Sequence, residues 1–203
     1  MKKSGLLFCT IGLVLILTCG CGKTQKEGDK SDKREVKWRS SYTALLKDIN
    51  KNNSNQTNEF VLRDLDSDDI PELIVKEELK LIVYRQNEEV EEIGKYNFST
   101  GTTRFFISKN KKYPGIFFFY VSGGLNHYGY LDIKDGKLHI QELWNEDYSG
   151  ISKEIGETRN VIEEFSEDKG LIEESKNLYN SNADLVFEKV SKDNINLQEF
   201  ITD

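Results

Sequence analysis

The chain has 203 residues, 37% hydrophobic and 31% charged, with a formal net charge of −7. This suits one soluble globular domain with a tail, and excludes a multi-domain machine, a polytopic membrane protein and the broad basic surface of a nucleic-acid binder. All three cysteines, Cys9, Cys19 and Cys21, lie near the amino terminus, so the body uses no disulfide, thiolate metal site or cysteine nucleophile.

Met1-Lys2-Lys3 is a short positive stretch, followed by the apolar run Gly5–Thr18, GLLFCTIGLVLILT. The run is shorter than the ~20 residues of a membrane-spanning helix and matches the apolar core of a secretory signal peptide. Its end, Leu17-Thr18-Cys19-Gly20-Cys21-Gly22, resembles the lipobox of bacterial lipoproteins. There a small residue precedes a cysteine that is lipidated and becomes the first mature residue. Cys21, behind Gly20, fits better than Cys19, behind Thr18, although Ile16 and Leu17 suit the positions upstream of Cys19. The resemblance implies a signal peptide over 1–20 and a membrane-lipid anchor on Cys21. A diacylglycerol, with an optional third chain such as palmitate, holds a protein stably to a membrane without spanning it. The expected location is the extracytoplasmic face of the cell membrane. An ordinary signal peptide or an uncleaved N-terminal anchor are the plainer alternatives.

Residues 22–39, GKTQKEGDKSDKREVKWR, hold seven Lys/Arg and four Asp/Glu with hardly an apolar residue before Trp38. Such a segment buries too little surface to order itself, so 21–39 reads as the lipidated cysteine and a flexible tether of net +3. A positive stretch beside anionic lipid is favourable, and a merely solvated spacer fits equally. The remainder, 40–203, holds 19 basic and 31 acidic residues, a net of −12. It reads as a single acidic α+β domain that permits cation binding and does not bind nucleic acid.

Trp38, Tyr42, Leu45, Leu46 and Ile49 share one face of an amphipathic helix, which the asparagines from Asn50 to Asn55 end. Strands follow at Glu59–Arg63, Glu72–Lys76, Leu79–Arg85, Val90–Phe98, Arg104–Ser108 and Gly115–Ser122. Leu131–Lys134 and Lys137–Leu143 flank Asp135-Gly136, a strong hairpin signal. In the second of these strands Leu138 and Ile140 face one side and His139 and Gln141 the other. The expectation is an antiparallel β-meander with one buried face. Leu171–Asn180 reads as a helix with Leu171, Ser175 and Leu178 on one side, Ala183–Val190 as a strand, and Asp193 as the cap of a short helix to Ile201. The fold class is therefore α+β: an N-terminal helix, a meander sheet and short C-terminal helices.

Residues 64–73 read Asp64-Leu65-Asp66-Ser67-Asp68-Asp69-Ile70-Pro71-Glu72-Leu73. Acids at alternate positions of a tight loop aim their oxygens at one centre, and calcium takes about 6–8 oxygen ligands. Asp64, Asp66, Asp68 and Glu72 can supply carboxylates and Ile70 its carbonyl, a set that makes calcium the expected cofactor. Like charges packed this closely are costly unless a cation offsets them. The block resembles DxDxDG calcium loops with two departures. The twelfth position is Val75, not the glutamate of an EF-hand, and the sixth is Asp69, not the glycine that a left-handed backbone favours. The alternative is an acidic turn whose aspartates satisfy backbone amides.

The longer stretch Phe60 to Val75 is similar to a block in small, largely uncharacterised lipoproteins of Gram-positive bacteria. These carry one hydrophobic–DIDGDGIPELIV segment after an N-terminal helix, then a β-meander, often with a pair such as Tyr128-Gly129-Tyr130. The tail Phe187–Ile195 is similar to their closing segment. The resemblance implies an extracytoplasmic, calcium-binding domain and implies no reaction.

Ser122–Tyr130, SGGLNHYGY, reads as a glycine- and aromatic-rich turn, or as a loop that binds a sugar or peptide. His127 and His139, the only histidines, cannot alone form a multi-histidine zinc site, and no GxSxG element accompanies them. The acids Glu163, Glu164, Glu167, Asp168, Glu173 and Glu174 read as a solvated surface. A cell-envelope hydrolase using paired carboxylates is the alternative function. The leading expectation is a membrane-anchored module that binds an envelope protein or small ligand, with calcium holding one loop and no catalytic residue assigned.

Overall fold

The computed structural model describes residues 28–52, 58–98, 103–147, 162–181 and 184–197. Residues 1–20, read above as a signal peptide, and Cys21 lie outside them. Helix α1 (Gly28–Asn52) is followed by β1 (Asn58–Arg63), β2 (Glu72–Glu77), β3 (Lys80–Gln86), β4 (Val90–Asn97) and β5 (Thr103–Ile107). Then come β6 (Ile116–Ser122), β7 (Leu125–Lys134), β8 (Lys137–Asp147), β9 (Ile162–Glu164), α2 (Lys169–Ser181) and β10 (Glu188–Lys189).

The strands form two antiparallel five-stranded sheets, β10-β1-β2-β3-β4 and β5-β6-β7-β8-β9. Runs such as ELIV on β2 and IFFFY on β6 are buried at every position. Because side chains alternate across a strand, an unbroken apolar run has to be covered on both faces. The inner faces meet in a core of Leu65, Ile74, Leu81, Val83, Phe105, Ile116, Phe118 and Leu131. Helix α1 covers the outer face of the first sheet, with Trp38, Tyr42, Leu46 and Ile49 against Phe60, Leu73 and Val75. Helix α2 covers the second, with Leu171, Ile172 and Leu178 against Phe117, Phe119, Tyr128 and Trp144. The result is a four-layer α/β/β/α arrangement of the α+β class. It corrects the expectation of one meander with a single buried face.

Two close approaches require glycine, one within the second sheet and one between the sheets. A Cβ on Gly129 would lie 2.1 Å from the Phe118 ring, and one on Gly94 would lie 2.5 Å from Leu138 Cβ on the opposite sheet. At Asp135-Gly136 both residues have positive φ, 52° and 73°, as a two-residue type I′ hairpin requires. The same device at Gly123-Gly124 shortens the expected loop to two residues, with Ser122 paired to Leu125. Leu125–Tyr130 is therefore the first half of β7 and not a ligand loop.

Three further boundaries differ from expectation. Helix α1 begins at Gly28, inside the stretch read as a tether; Lys33, Arg34 and Glu35 are good helix formers and lead into the turns anchored by Trp38. The expected strand over 183–190 is split into two edge contacts. Asp184 bridges to Phe106 of the second sheet, and Glu188–Lys189 pair with β1 of the first. No helix follows Asp193 through Asn196, and Leu197 is the first residue of a 3₁₀ turn. The chain turns at 192–194, with Asn194 accepting the Ser191 N–H at 2.9 Å, and Ile195 and Leu197 pack beneath α1. The remainder of that predicted helix lies outside the described residues.

Candidate metal centre

The loop 64–71 joins the neighbouring strands β1 and β2, whose ladder closes with Arg63 opposite Glu72. Leu65, in the inter-sheet core, and the buried Pro71 pin it. Between these anchors the backbone wraps one carboxylate. Asp64 Oδ1 accepts the N–H groups of Asp66 (3.3 Å), Ser67 (2.7 Å) and Asp68 (3.2 Å), and Oδ2 accepts that of Asp69 (3.1 Å). Asp68 Oδ1 accepts the Ile70 N–H at 2.9 Å. These are the side-chain-to-backbone bonds that aspartates use to stabilise turns. Asp69, at the sixth position, has φ 66°, and Ser67 has φ 65°. The backbone therefore takes the left-handed path that the pattern predicted without the usual glycine.

Asp64, Asp66 and Glu72 each offer an oxygen within 4.8 Å of the others. Two ligands of one calcium ion, each about 2.4 Å away, can be separated by no more than about 4.8 Å, so this trio is close enough to share a cation. Of the five predicted ligands, Asp68 stands outside the trio, exposed at the rim, and Ile70 packs its side chain against the α1 cluster.

Glu72 is fully buried. Its Oε2 accepts the Leu65 N–H at 2.9 Å, and its Oε1 accepts no hydrogen bond. Burial pushes its carboxyl up to about 8; Asp66 and Asp68 add to this, and the Leu65 amide and Arg85 oppose it. Burial, followed by repulsion from Asp68, also raises Asp66.

One residue of the centre escaped the sequence reading. Arg85 Nη2 lies 2.7 Å from Asp66 Oδ2 and 2.7 Å from Asp68 Oδ2, and its Nε lies 3.7 Å from Glu72 Oε1. The β2–β3 hairpin pairs Leu73 with Tyr84, which brings the next residues outward, Glu72 and Arg85, side by side. Both strands were legible as a hairpin, and extending their register by one pair would have found the arginine.

The other candidates do not converge. His127 stacks on Tyr120 with ring centroids 4.7 Å apart, on the inner side of the second sheet. His139 pairs with Asp132 at 2.9 Å and alternates with the inward Leu138 and Ile140, so it belongs to the outer face. Asp168 caps α2, accepting the Leu171 N–H at 3.1 Å, and Glu164 pairs with Lys169 and Lys176. A concave surface of about 510 Å³ lies beside the start of α2, lined by Tyr113, Tyr130, Asp132, Gln141, Asp168 and the half-exposed Phe165.

No family model matches the chain, and no curated protein or solved structure matches it either. Among the described residues no helix is long and apolar enough to cross a membrane.

Proposed function

We propose that this chain is a lipoprotein, anchored by acylated Cys21 on the extracytoplasmic face of the cell membrane, whose body is a binding module with calcium in the Asp64–Glu72 loop. It belongs, in this reading, with the Gram-positive lipoproteins whose Asp-rich block it resembles. The observation that carries the metal is the buried Glu72 carboxylate: one of its oxygens lies within 4.8 Å of oxygens of Asp64 and Asp66, and its Oε1 accepts no hydrogen bond. Asp68 and the Ile70 carbonyl complete the proposed set. Calcium here would link β1 to β2 and offset the charge crowded into the loop. The concave surface beside α2, with exposed aromatic and amide groups, suits a small ligand or a partner's side chain.

Binding is preferred to carboxylate hydrolysis because Glu164 and Asp168, two acids considered for that chemistry, serve ion pairs and a helix cap. Calorimetric titration of the full-length chain in detergent tests the metal. Heat of binding and a rise in thermal midpoint at millimolar calcium are expected, and neither effect would be seen if the loop is only an acidic turn. Cys21→Ser should move the protein from the membrane fraction to the medium.

A further inference from the structure

The geometry points to Arg85 as a built-in counter-ion that a divalent cation must displace, so that the loop exchanges an internal cation for an external one. This inference rests on the calcium reading and adds to it the residue that sets affinity.

Carboxylates this close cannot all stay ionised without a cation among them. Among the described residues Arg85 is the cation that pairs with them, and its side chain is only 16% exposed. Its pairing is incomplete. A single nitrogen, Nη2, serves both Asp66 Oδ2 and Asp68 Oδ2, and the nearest approach to Glu72 is 3.7 Å, outside hydrogen-bond range. Two buried oxygens, Glu72 Oε1 and Asp66 Oδ1, accept no hydrogen bond as a result.

The mismatch has a geometric cause. A guanidinium delivers its donors in one plane from a fixed fork, so it can satisfy Asp66 and Asp68 at the rim but not Glu72 below them. A spherical cation binds oxygens from several directions at about 2.3–2.6 Å and can reach Asp64, Asp66 and the buried Glu72 together. The two cations nevertheless contend for Asp66 and Asp68, and a guanidinium beside a divalent ion is repelled by it. Arg85 projects from β3, outside the loop, so it can withdraw without unravelling the bonds around Asp64. The affinity measured for calcium is then the difference between two occupancies, and removing the arginine should reveal the tighter intrinsic site.

The test is calcium titration of the full-length wild type, Arg85→Gln and Arg85→Lys in detergent, followed by calorimetry and thermal melting. R85Q should bind calcium at least tenfold more tightly than wild type. R85K, which keeps the charge, should stay within about threefold of wild type, because the competition is electrostatic. R85Q should also melt lower than wild type in chelator and recover when calcium is added. Binding in R85Q where wild type shows none would equally support the exchange. If wild type binds calcium and R85Q binds no more tightly, the exchange is wrong and the calcium site stands. If neither binds at about 10 mM, well above the range of extracellular calcium modules, both fall. An R85Q chain that stays unfolded at every calcium concentration would also overturn the proposal, because an exchangeable counter-ion must be replaceable.

Discussion

Glu72 makes the metal-free protein sensitive to pH in a direction opposite to that of an ordinary salt-bridged acid. Its carboxyl ionises near 4.5 in an unfolded chain and is pushed up to about 8 in the fold. Between these values the folded state holds a proton that the unfolded state has released, so stability falls as pH rises. The contribution is complete below about pH 4.5 and is lost as pH rises through about 8. One proton of difference gives a slope of about 1.4 kcal/mol per pH unit within that window. Glu72→Gln keeps the shape and one acceptor for the Leu65 N–H but cannot ionise. The assay is urea denaturation of wild type and E72Q in chelator at half-unit steps from about pH 5 to 8. The stability difference between them should drift by roughly 1 kcal/mol per unit in favour of E72Q as pH rises. Comparing the two chains cancels the titration of shared groups that do not interact with Glu72, which leaves Asp66 and Asp68 as the coupled ones. A difference that stays flat across the window would refute the reasoning, because the buried carboxylate would then be no harder to ionise than an exposed one. Calcium should reverse the trend in wild type, since it binds the ionised carboxylate.

Four other substitutions test the architecture. Asp64→Ala removes the acceptor for the N–H groups of Asp66, Ser67, Asp68 and Asp69; water can reach several of them, so about 2 kcal/mol of stability should be lost in chelator, measured by the urea midpoint. Gly129→Ala drives a methyl group into the Phe118 ring and should cost about 1–3 kcal/mol by overpacking, whereas Gly136→Ala meets nothing at its Cβ but must hold φ at +73°, and should cost about 1–2 kcal/mol through backbone strain alone. Asp168→Ala removes the cap of α2 and should lower the urea midpoint, with helix fraying visible as faster amide exchange at Leu171 and Ile172. An unchanged exchange rate there would place the cap's role elsewhere.

Most elements were legible because their signals are local. The α1 face, Trp38 to Ile49, and the α2 face, Leu171 to Leu178, follow helical spacing, and both helices bury those residues. Strands β1 to β6 stand close to their predicted bounds, since each is a dense β-branched or aromatic run between polar breaks. The turn Asp135-Gly136 and the left-handed Asp69 follow from backbone sterics that act within a few residues. Two sites misled. The pair Gly123-Gly124 makes so tight a turn that the next residues pair at once, which spacing alone did not show. The segment after Ala183 looks like one strand but is divided between two sheet edges, each recruiting a few of its residues.

By itself the sequence determined the amphipathic helices, the strand order of the hairpins, the alternating acids between β1 and β2, and the left-handed turn within them. These depend on side-chain period, propensity and sterics over short range. Tertiary structure decided the rest. Apolar runs on β2 and β6 demanded a cover on both faces, but only packing chose a second sheet for one face and a helix for the other. Likewise the loop's carboxylates were visible in order, while burial of Glu72 and the arrival of Arg85 from β3 were not. Desolvation and charge pairing arise from neighbours that the chain brings together only after it has folded.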